Sequence, residues 1–392
     1  MASNPRCLKE VRLLLSMGFK ISVVAFEFHN WTTEKERLIN DELKHVNFYY
    51  IDGTKMSFLL WFFSTVTKIF SRALSALFPF NIYLSSMGLN KRTWLLLRWL
   101  KNWKGKPDLI IAHNLAAFYP ALALSKRIKK PFAIDVEDYH PGESDNKKEQ
   151  TNIKRVMKDI LPKASYVSFA SPLIKEFTES FLGEKKSYGF VINNSFPDNE
   201  FKSPLMQNQK DKLQLVWFSQ YIDYGRGLEN TLPALDVFKD ELTLTLIGES
   251  RPDFYETEIK LRNYIVCKAT MTQKELHASL SMFDVGLAIE EKSVDINRDI
   301  CLTNKIWAYF QAGLYILASD TKSQQLFINN HNSHGMCIPL QQPCIENEIA
   351  ALLKNIDTIR SAAHLRFQNA KSYSWENESM PLRNCMNRLL SA

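Results

Sequence analysis

Asp299 to Asp320 reads DICLTNKIWAYFQAGLYILASD. Thr303 is a natural N-cap, and Ile306, Trp307 and Phe310 follow it at helical spacing. Gly313 ends that helix. Leu314 to Ala318 is then a short apolar run, as expected of a strand buried on both faces. Ser319 and Asp320 fall just past it. A helix followed at once by a buried strand is one repeat of an open α/β sheet. In such sheets the carboxyl ends of strands and the first turns of helices face the ligand. The helix start at Thr303, Asn304 and Lys305 offers free N–H groups, a positive dipole end and an ammonium, which together suit a phosphate or diphosphate. The same stretch also reads as a plain helix–strand unit, so the rest of the chain must decide.

Outward from this stretch the alternation continues. Leu213–Phe218, Leu242–Ile247, Ile265–Ala269, Asp284–Ile289 and Met336–Leu340 read as strands, with helices between them. Ser219 to Gly227, SQYIDYGRG, is expected as a loop. In it Arg226 precedes a helix opened by Gly227, Leu228 and Glu229, where it suits a phosphate. Glu229 suits a ribose or sugar hydroxyl. Each is by itself also a plain surface charge. Upstream, strands are expected at 21–26, 46–51, 108–112, 131–136, 166–170 and 190–192, again with intervening helices. The polar, Pro-containing segment Asn193 to Pro204 is the expected linker. Two alternating halves predict two doubly wound domains with a cleft between them.

The length of 392 residues fits two such domains. Six cysteines are scattered without CxxC spacing, which argues against a disulfide framework or zinc site and for a reducing compartment. MASNPRCLKE has no apolar signal core, so secretion is not expected. The net charge of +7 is unevenly spread: no Asp or Glu lies between Asp52 and Asp108, an interval rich in Lys, Arg, Phe and Trp. The uncharged run Met56 to Thr67 is shorter than the about 20 residues that span a bilayer. Leu95–Leu97, Trp99 and Leu100 with Arg92, Arg98 and Lys101 read as an amphipathic helix in a membrane interface, with anionic lipid as partner. The alternative is a helical pair packed on its own domain. Nucleic acid is not expected as a partner, because bulky aliphatics interrupt the basic residues and no recognition motif accompanies them.

Past two expected strand ends stand His113 and the run Asp135, Glu137, Asp138. Carboxylates and a histidine at such ends form a candidate acid/base or hydroxyl-binding cluster. A solvated polar loop is the other reading.

Taken together, these residues resemble the GT-B glycosyltransferases of family 4, over nearly the whole chain. NPRCLKE (4–10) resembles that family's opening helix, and PDLIIAH (107–113) and PFAIDVED (131–138) its acceptor-domain strands. RGLE (226–229) is similar to its diphosphate-binding segment, and TNKIWAY (303–309) with Gly313 to Ser319 to its donor-domain helix and strand. Ser374-Trp375-Glu376 resembles the start of its C-terminal helix. There are departures. The family's glutamate pair falls on Ile300 and Ala308, its Gly-Arg on Ser219 and Gln220, and a frequent histidine on Glu137. The opening strand with its Gly-rich loop is missing, so the expected start lies upstream or the protein is incomplete.

The resemblance implies a GT-B fold: an acceptor-side Rossmann-like domain over 1–197 with a membrane-facing insertion at about 55–106. A donor domain over 198–373 and a helix over 374–392 that crosses back to the first domain complete it. It implies transfer of a sugar from a nucleotide-sugar donor to a glycan or lipid-linked acceptor, with retention, in cell-surface polysaccharide synthesis. The place would be the cytoplasmic face of the membrane. On this reading Arg226, Glu229, Ser219, Gln220, Thr303, Asn304, Lys305, Ser319 and Asp320 serve the donor. Asp135, Glu137, Asp138 and His113 serve the acceptor side. No cofactor and no metal are expected beyond the nucleotide sugar as substrate. The alternatives are a GT-B sugar-nucleotide epimerase, which would have no use for a membrane patch, and a non-catalytic or truncated nucleotide-sugar-binding protein.

Overall fold

The computed structural model describes residues 1, 4–28, 32–183, 189–205 and 212–391. The chain divides into two compact units, Met1–Val191 and Ile192–Ala392. Both are α/β with parallel strands throughout.

The first unit opens on helix α1 (Pro5–Ser16), capped by the Asn4 side chain and with Pro5 at its first turn, where a missing N–H costs nothing. Then follow β1 (Ser22–Glu27), α2 (Thr32–Glu42) and β2 (Asn47–Asp52). Three helices come next: α3 (Phe58–Leu77), α4 (Ile82–Leu89) and α5 (Lys91–Asn102). The unit closes with β3 (Ile110–His113), α6 (Leu115–Ile128), β4 (Phe132–Val136), α7 (Lys147–Ile160), β5 (Val167–Phe169), α8 (Pro172–Leu182) and β6 (Gly189–Val191). Its strands form two separate sheets, β1-β2 and β3-β4-β5-β6.

The interval free of acidic residues is therefore helical, but its apolar faces are used in opposite ways. Leu95, Leu96 and Leu100 of α5 are buried in a core with Ile51, Leu124, Val24 and Phe26. This corrects the expectation of an interfacial helix there: the stripe packs on its own unit because β1, β2 and α6 supply the apolar surface it needs. Helix α3 does the reverse. Its buried residues are Ser64, Ser71 and Ser75, while Phe58, Leu59, Phe63, Ile69 and Phe70 are each more than half exposed. Phe80, just beyond it, is 95% exposed. No described helix is long and apolar enough to cross a membrane.

The second unit is built on six strands: β7 (Leu213–Ile222), β8 (Leu242–Ser250), β9 (Ile265–Lys268), β10 (Val285–Ala288), β11 (Tyr315–Ser319) and β12 (Gly335–Ile338). Their order is β12-β11-β10-β7-β8-β9. The core is dense, with Trp217, Trp307, Tyr309, Phe254 and Phe310 fully buried. Gly286 allows this packing: a Cβ there would stand 2.2 Å from Cγ of Tyr309. The segment expected as a linker is pinned to this unit. Gln311 donates to the Phe196 carbonyl and accepts from the Phe196 N–H, both at 2.8 Å. Trp375 donates its N–H to the same carbonyl at 2.9 Å.

Candidate functional site

In the second sheet, β7, β8 and β9 run outward one way and β10, β11 and β12 the other. The order reverses between β7 and β10, and ligands of open parallel sheets bind outside the carboxyl ends at such a point. Most of the residues singled out for the donor meet there.

β7 runs four residues beyond its expected end, because its register against β8 shifts between Phe218 and Tyr221. Ser219 and Gln220 thus lie in a bulge of the strand and not in the loop, a device that re-aims side chains at strand ends. Gly248 of β8 (φ 157°) makes room for it, since a Cβ would come 2.4 Å from the Ser219 carbonyl. The turn that follows holds Gly225 (φ 74°) and Gly227 (φ 84°), both left-handed conformations that glycine takes freely. It places Arg226 exposed at the surface, with no ion pair among the described residues. Glu229, in helix α9 (Leu228–Asp236), accepts from the Gly225 N–H at 2.6 Å through one oxygen. Its other oxygen is buried without a partner. Arg298 donates to the Gly225 carbonyl at 2.8 Å, so this turn lies against the segment that follows β10.

The helix Asn304–Gln311 starts from Thr303, whose hydroxyl makes no capping bond and is itself buried and unpartnered. Asn304 accepts from Asn194 at 2.5 Å. Lys305 is buried, with its ammonium 2.6 Å from Glu290 and 5.4 Å from the centre of the Trp217 ring. Its charge is therefore already matched within the protein. Ser319 is buried, accepts from the Glu290 N–H at 2.9 Å and donates to Gln324 at 3.1 Å. Asp320 pairs with Lys292 at 2.6 Å. Ile300 and Ala308 are both fully buried, Ala308 in an apolar cluster with Trp307 and Phe310.

Four kinds of contact are thus available to a ligand. There is one unpaired guanidinium, and there are the free N–H groups of a helix start. Two buried oxygens, on Glu229 and Thr303, also lack partners. Buried polar atoms are seldom left so. A hydroxylated anion meets all of these, the charge at the N–H groups and guanidinium and the hydroxyls at the oxygens.

The residues singled out on the first unit form a second cluster, at the carboxyl ends of β3 and β4. Asp135 is 1% exposed and held bidentately by Arg6, at 2.6 and 2.8 Å. It also accepts from Ser168 at 2.5 Å. His113 reaches Glu10 at 3.0 Å through Nε2, and Glu137 at 2.8 Å and Asp135 at 3.3 Å through Nδ1. Asn4 donates to Glu137 at 2.7 Å. Asp138 lies one residue beyond Glu137 and its carbonyl accepts from the His140 N–H at 2.9 Å. Burial disfavours the His113 imidazolium, yet contacts with Cys7, Asp135 and Glu10 outweigh it and hold its pKa well above the usual histidine range. Asp135 is disfavoured as an anion by burial but held far below the usual carboxylate range by Arg6 and His113. Its bonds are nearly all made within the protein, so Asp135 positions the cluster, while the partly exposed Glu137 is nearer to solvent.

Arg6, Glu10 and Ser168 were missed from the sequence. Arg6 did carry a signal: a cation in the first turn of a helix opposes the dipole and needs a carboxylate nearby. Glu10, His113 and Asp135 offer ligand atoms within 4.8 Å of one another. Arg6 spans both Asp135 oxygens, so a cation would have to displace a guanidinium already bound there.

No protein-family model matches the chain, and no curated protein matches it by sequence. Solved structures do match. Anabaena HepE in complex with UDP and glucose aligns over 98% of this chain and 96% of its own, with TM-score 0.65 and 14% identity. A Rickettsia africae glycosyltransferase aligns over 95% and 99%, with TM-score 0.58 and 12% identity. Sucrose-phosphate synthase from Thermosynechococcus elongatus aligns over 76% and 79%, with TM-score 0.58 and 16% identity. At such identities the likeness is one of fold, and that fold is GT-B, with two Rossmann-like domains.

Proposed function

We propose that this chain is a glycosyltransferase that takes a sugar from a nucleotide-sugar donor. The observation that carries the reading is the donor-side switch point, with unpaired Arg226, the start of the helix Asn304–Gln311 and the unpartnered oxygens of Glu229 and Thr303. Fold likeness to glycosyltransferases, one of them in complex with UDP and glucose, supports it. Arg226 and the N–H groups near Asn304 stabilise the departing diphosphate, which is electrostatic catalysis by prearranged donors. Glu229 and Thr303 accept from ribose or sugar hydroxyls. Lys305, neutralised by Glu290, shapes this wall more than it charges it. Glu137, His113 and Asp138 serve the acceptor, with Asp135 and Arg6 holding them in place.

The finer reading is a retaining transfer to a glycan or lipid-linked acceptor, in cell-surface polysaccharide synthesis, at the cytoplasmic face of a membrane. The exposed aromatics of α3 beside Lys55, Lys68, Arg72 and Lys91 support membrane contact, since such a face enters the headgroup boundary of anionic lipid.

The test is a thermal-shift and transfer screen against UDP-, GDP- and ADP-sugars, with Arg226→Ala beside the wild type. A donor that binds the folded state stabilises it, and the shift should vanish in the variant. Absence of a shift with every donor would sink the proposal. A second reading, a nucleotide-sugar binder without turnover, is favoured by the apolar, fully buried side chains of Ile300 and Ala308, where the resemblance places glutamates. Donor-induced stabilisation without transfer or hydrolysis would select it.

A further inference from the structure

The interval without acidic residues gathers its cations around one ring. Lys55, just ahead of α3, holds its ammonium 5.3 Å from the centre of the Trp61 ring. Lys91, the first residue of α5, holds its own 5.5 Å from the same centre. Lys68 stands about two turns beyond Trp61 on the same stripe of α3. Among the described residues none of these lysines makes an ion pair. Such a gathering is unfavourable by itself. Burial, and after it the charges of Arg92, Lys55 and Lys68, hold the Lys91 ammonium below the usual lysine range. Lys91 and Arg92 also occupy the first turn of α5, where the helix dipole opposes a cation and favours an anion. Arg92 is turned to the Phe28 ring, 4.6 Å from its centre. At Arg6 the same conflict is resolved inside the protein by Asp135. Around Trp61 it is resolved by an anion from outside.

What adjoins the lysines narrows the choice of anion. The Trp61 ring lies 6.1 Å from that of Phe58, and Phe58 stacks on Phe62 at 6.1 Å. From there the exposed face of α3 continues through Phe63, Val66, Ile69 and Phe70. Thr65 and Thr67 donate their hydroxyls to the carbonyls of Trp61 and Phe63, both at 2.7 Å, so neither needs water as a partner. A cationic end that runs without a break into an apolar face fits one molecule with a phosphate head and a hydrocarbon tail. Trp61 is half-buried where the two meet, and its amphipathic ring suits that boundary.

We propose that Lys55 and Lys91, either end of a contact with the Trp61 ring, bind the phosphate of one anionic phospholipid whose chains lie along the exposed face of α3. Lys68 adds its field to the same headgroup. The site rests on the membrane contact proposed above and makes of it a discrete, saturable one, where basic residues near a bilayer otherwise act as a diffuse charge. A choline headgroup brings a cation against the lysines, so the site selects phosphatidic acid over phosphatidylcholine.

The probes are monomeric dihexanoyl phosphatidic acid, dihexanoyl phosphatidylcholine and inorganic phosphate, each titrated into the full chain by calorimetry. The chain is also floated with vesicles of phosphatidylcholine alone and of phosphatidylcholine mixed equally with phosphatidic acid. A single phosphatidic acid should bind per chain, more tightly than either other probe. Lys55→Gln with Lys91→Gln should weaken it about tenfold or more, and Arg98→Gln with Lys101→Gln, which removes two cations of α5 away from Trp61, should change it by less than about twofold. Without lipid the first pair should unfold no earlier than the wild type, since it relieves repulsion; earlier unfolding would assign the lysines to packing and overturn the proposal. Equal losses from the two pairs would also overturn it, leaving a diffuse attraction only. Inorganic phosphate bound as tightly as phosphatidic acid would overturn the lipid assignment. If the wild type floats with neither vesicle, the membrane contact itself fails, and the site with it.

Discussion

Across the second unit the hydrogen-bond ladder passes from β12 to β9 without a break, whereas in the first it stops at β1 and restarts at β3. The two halves reach order by different means. The second relies on close packing, with aromatic rings stacked against a glycine that leaves them space. The first depends on helices that span its two sheets, and on a buried charge network that ties α1 to β3 and β4. Hydrophobic contact is not directional, but a bidentate ion pair is. The first unit should therefore answer sharply to loss of one charged group, and the second to change of volume.

The largest expected effect is on the network. Arg6→Met leaves Asp135 buried without its guanidinium, and breaking a buried pair in this way costs about 3–5 kcal/mol. Urea unfolding should show the loss in a transition of the first unit while that of the second keeps its midpoint. A single coincident shift of both would erase the contrast. In the second unit Gly286→Ala pushes into Tyr309 and should cost about 1–3 kcal/mol, the range for overpacking. Near-ultraviolet circular dichroism of the buried rings should follow that change. Arg226→Ala should leave both transitions in place and weaken donor binding roughly tenfold, about 1.4 kcal/mol, by calorimetry.

The pH response sharpens the same contrast. His113 is raised in the folded state, so its stabilisation is complete below the unfolded value of about 6.5 and fades as pH climbs through the folded one. Asp135 is lowered, so its share is present above about 3.9 and lost as pH falls through the folded value. The first transition should be most resistant in mildly acidic solution. His113→Gln should remove the decline on the alkaline side, and persistence of that decline would exclude His113 as its source. The smallest effect on stability, within about 0.5 kcal/mol, is expected for Phe62→Ser with Phe70→Ser on exposed α3. The same pair should reduce flotation with anionic vesicles.

Much of the architecture was legible because both periods are present: apolar runs of strand length, then helical stripes, restarted once along the chain. The strand ends and helix starts around Arg226 and Thr303 were legible for the same reason, since both can be read from local signals. What escaped is non-local. That Leu95 and Leu100 face inward while Phe58 and Phe70 face outward depends on which helix packs against the sheet, and both helices look amphipathic or apolar in isolation. The Arg6 contact with Asp135 joins residues 129 positions apart. The continuation of β7 through Ser219 and Gln220 rests on a bulge that needs Gly248 on the neighbouring strand. The neutralisation of Lys305 by Glu290 joins residues 15 apart across a strand end, and spacing gave no hint of it.

The outward aromatics of α3 have one more consequence, at the bench. A protein whose surface carries Phe58, Phe63, Phe70 and Phe80 uncovered behaves as a surfactant. It should adsorb to air–water interfaces and plastic, and elute anomalously from size-exclusion resin. Traces of mild detergent should restore both recovery and a symmetrical peak.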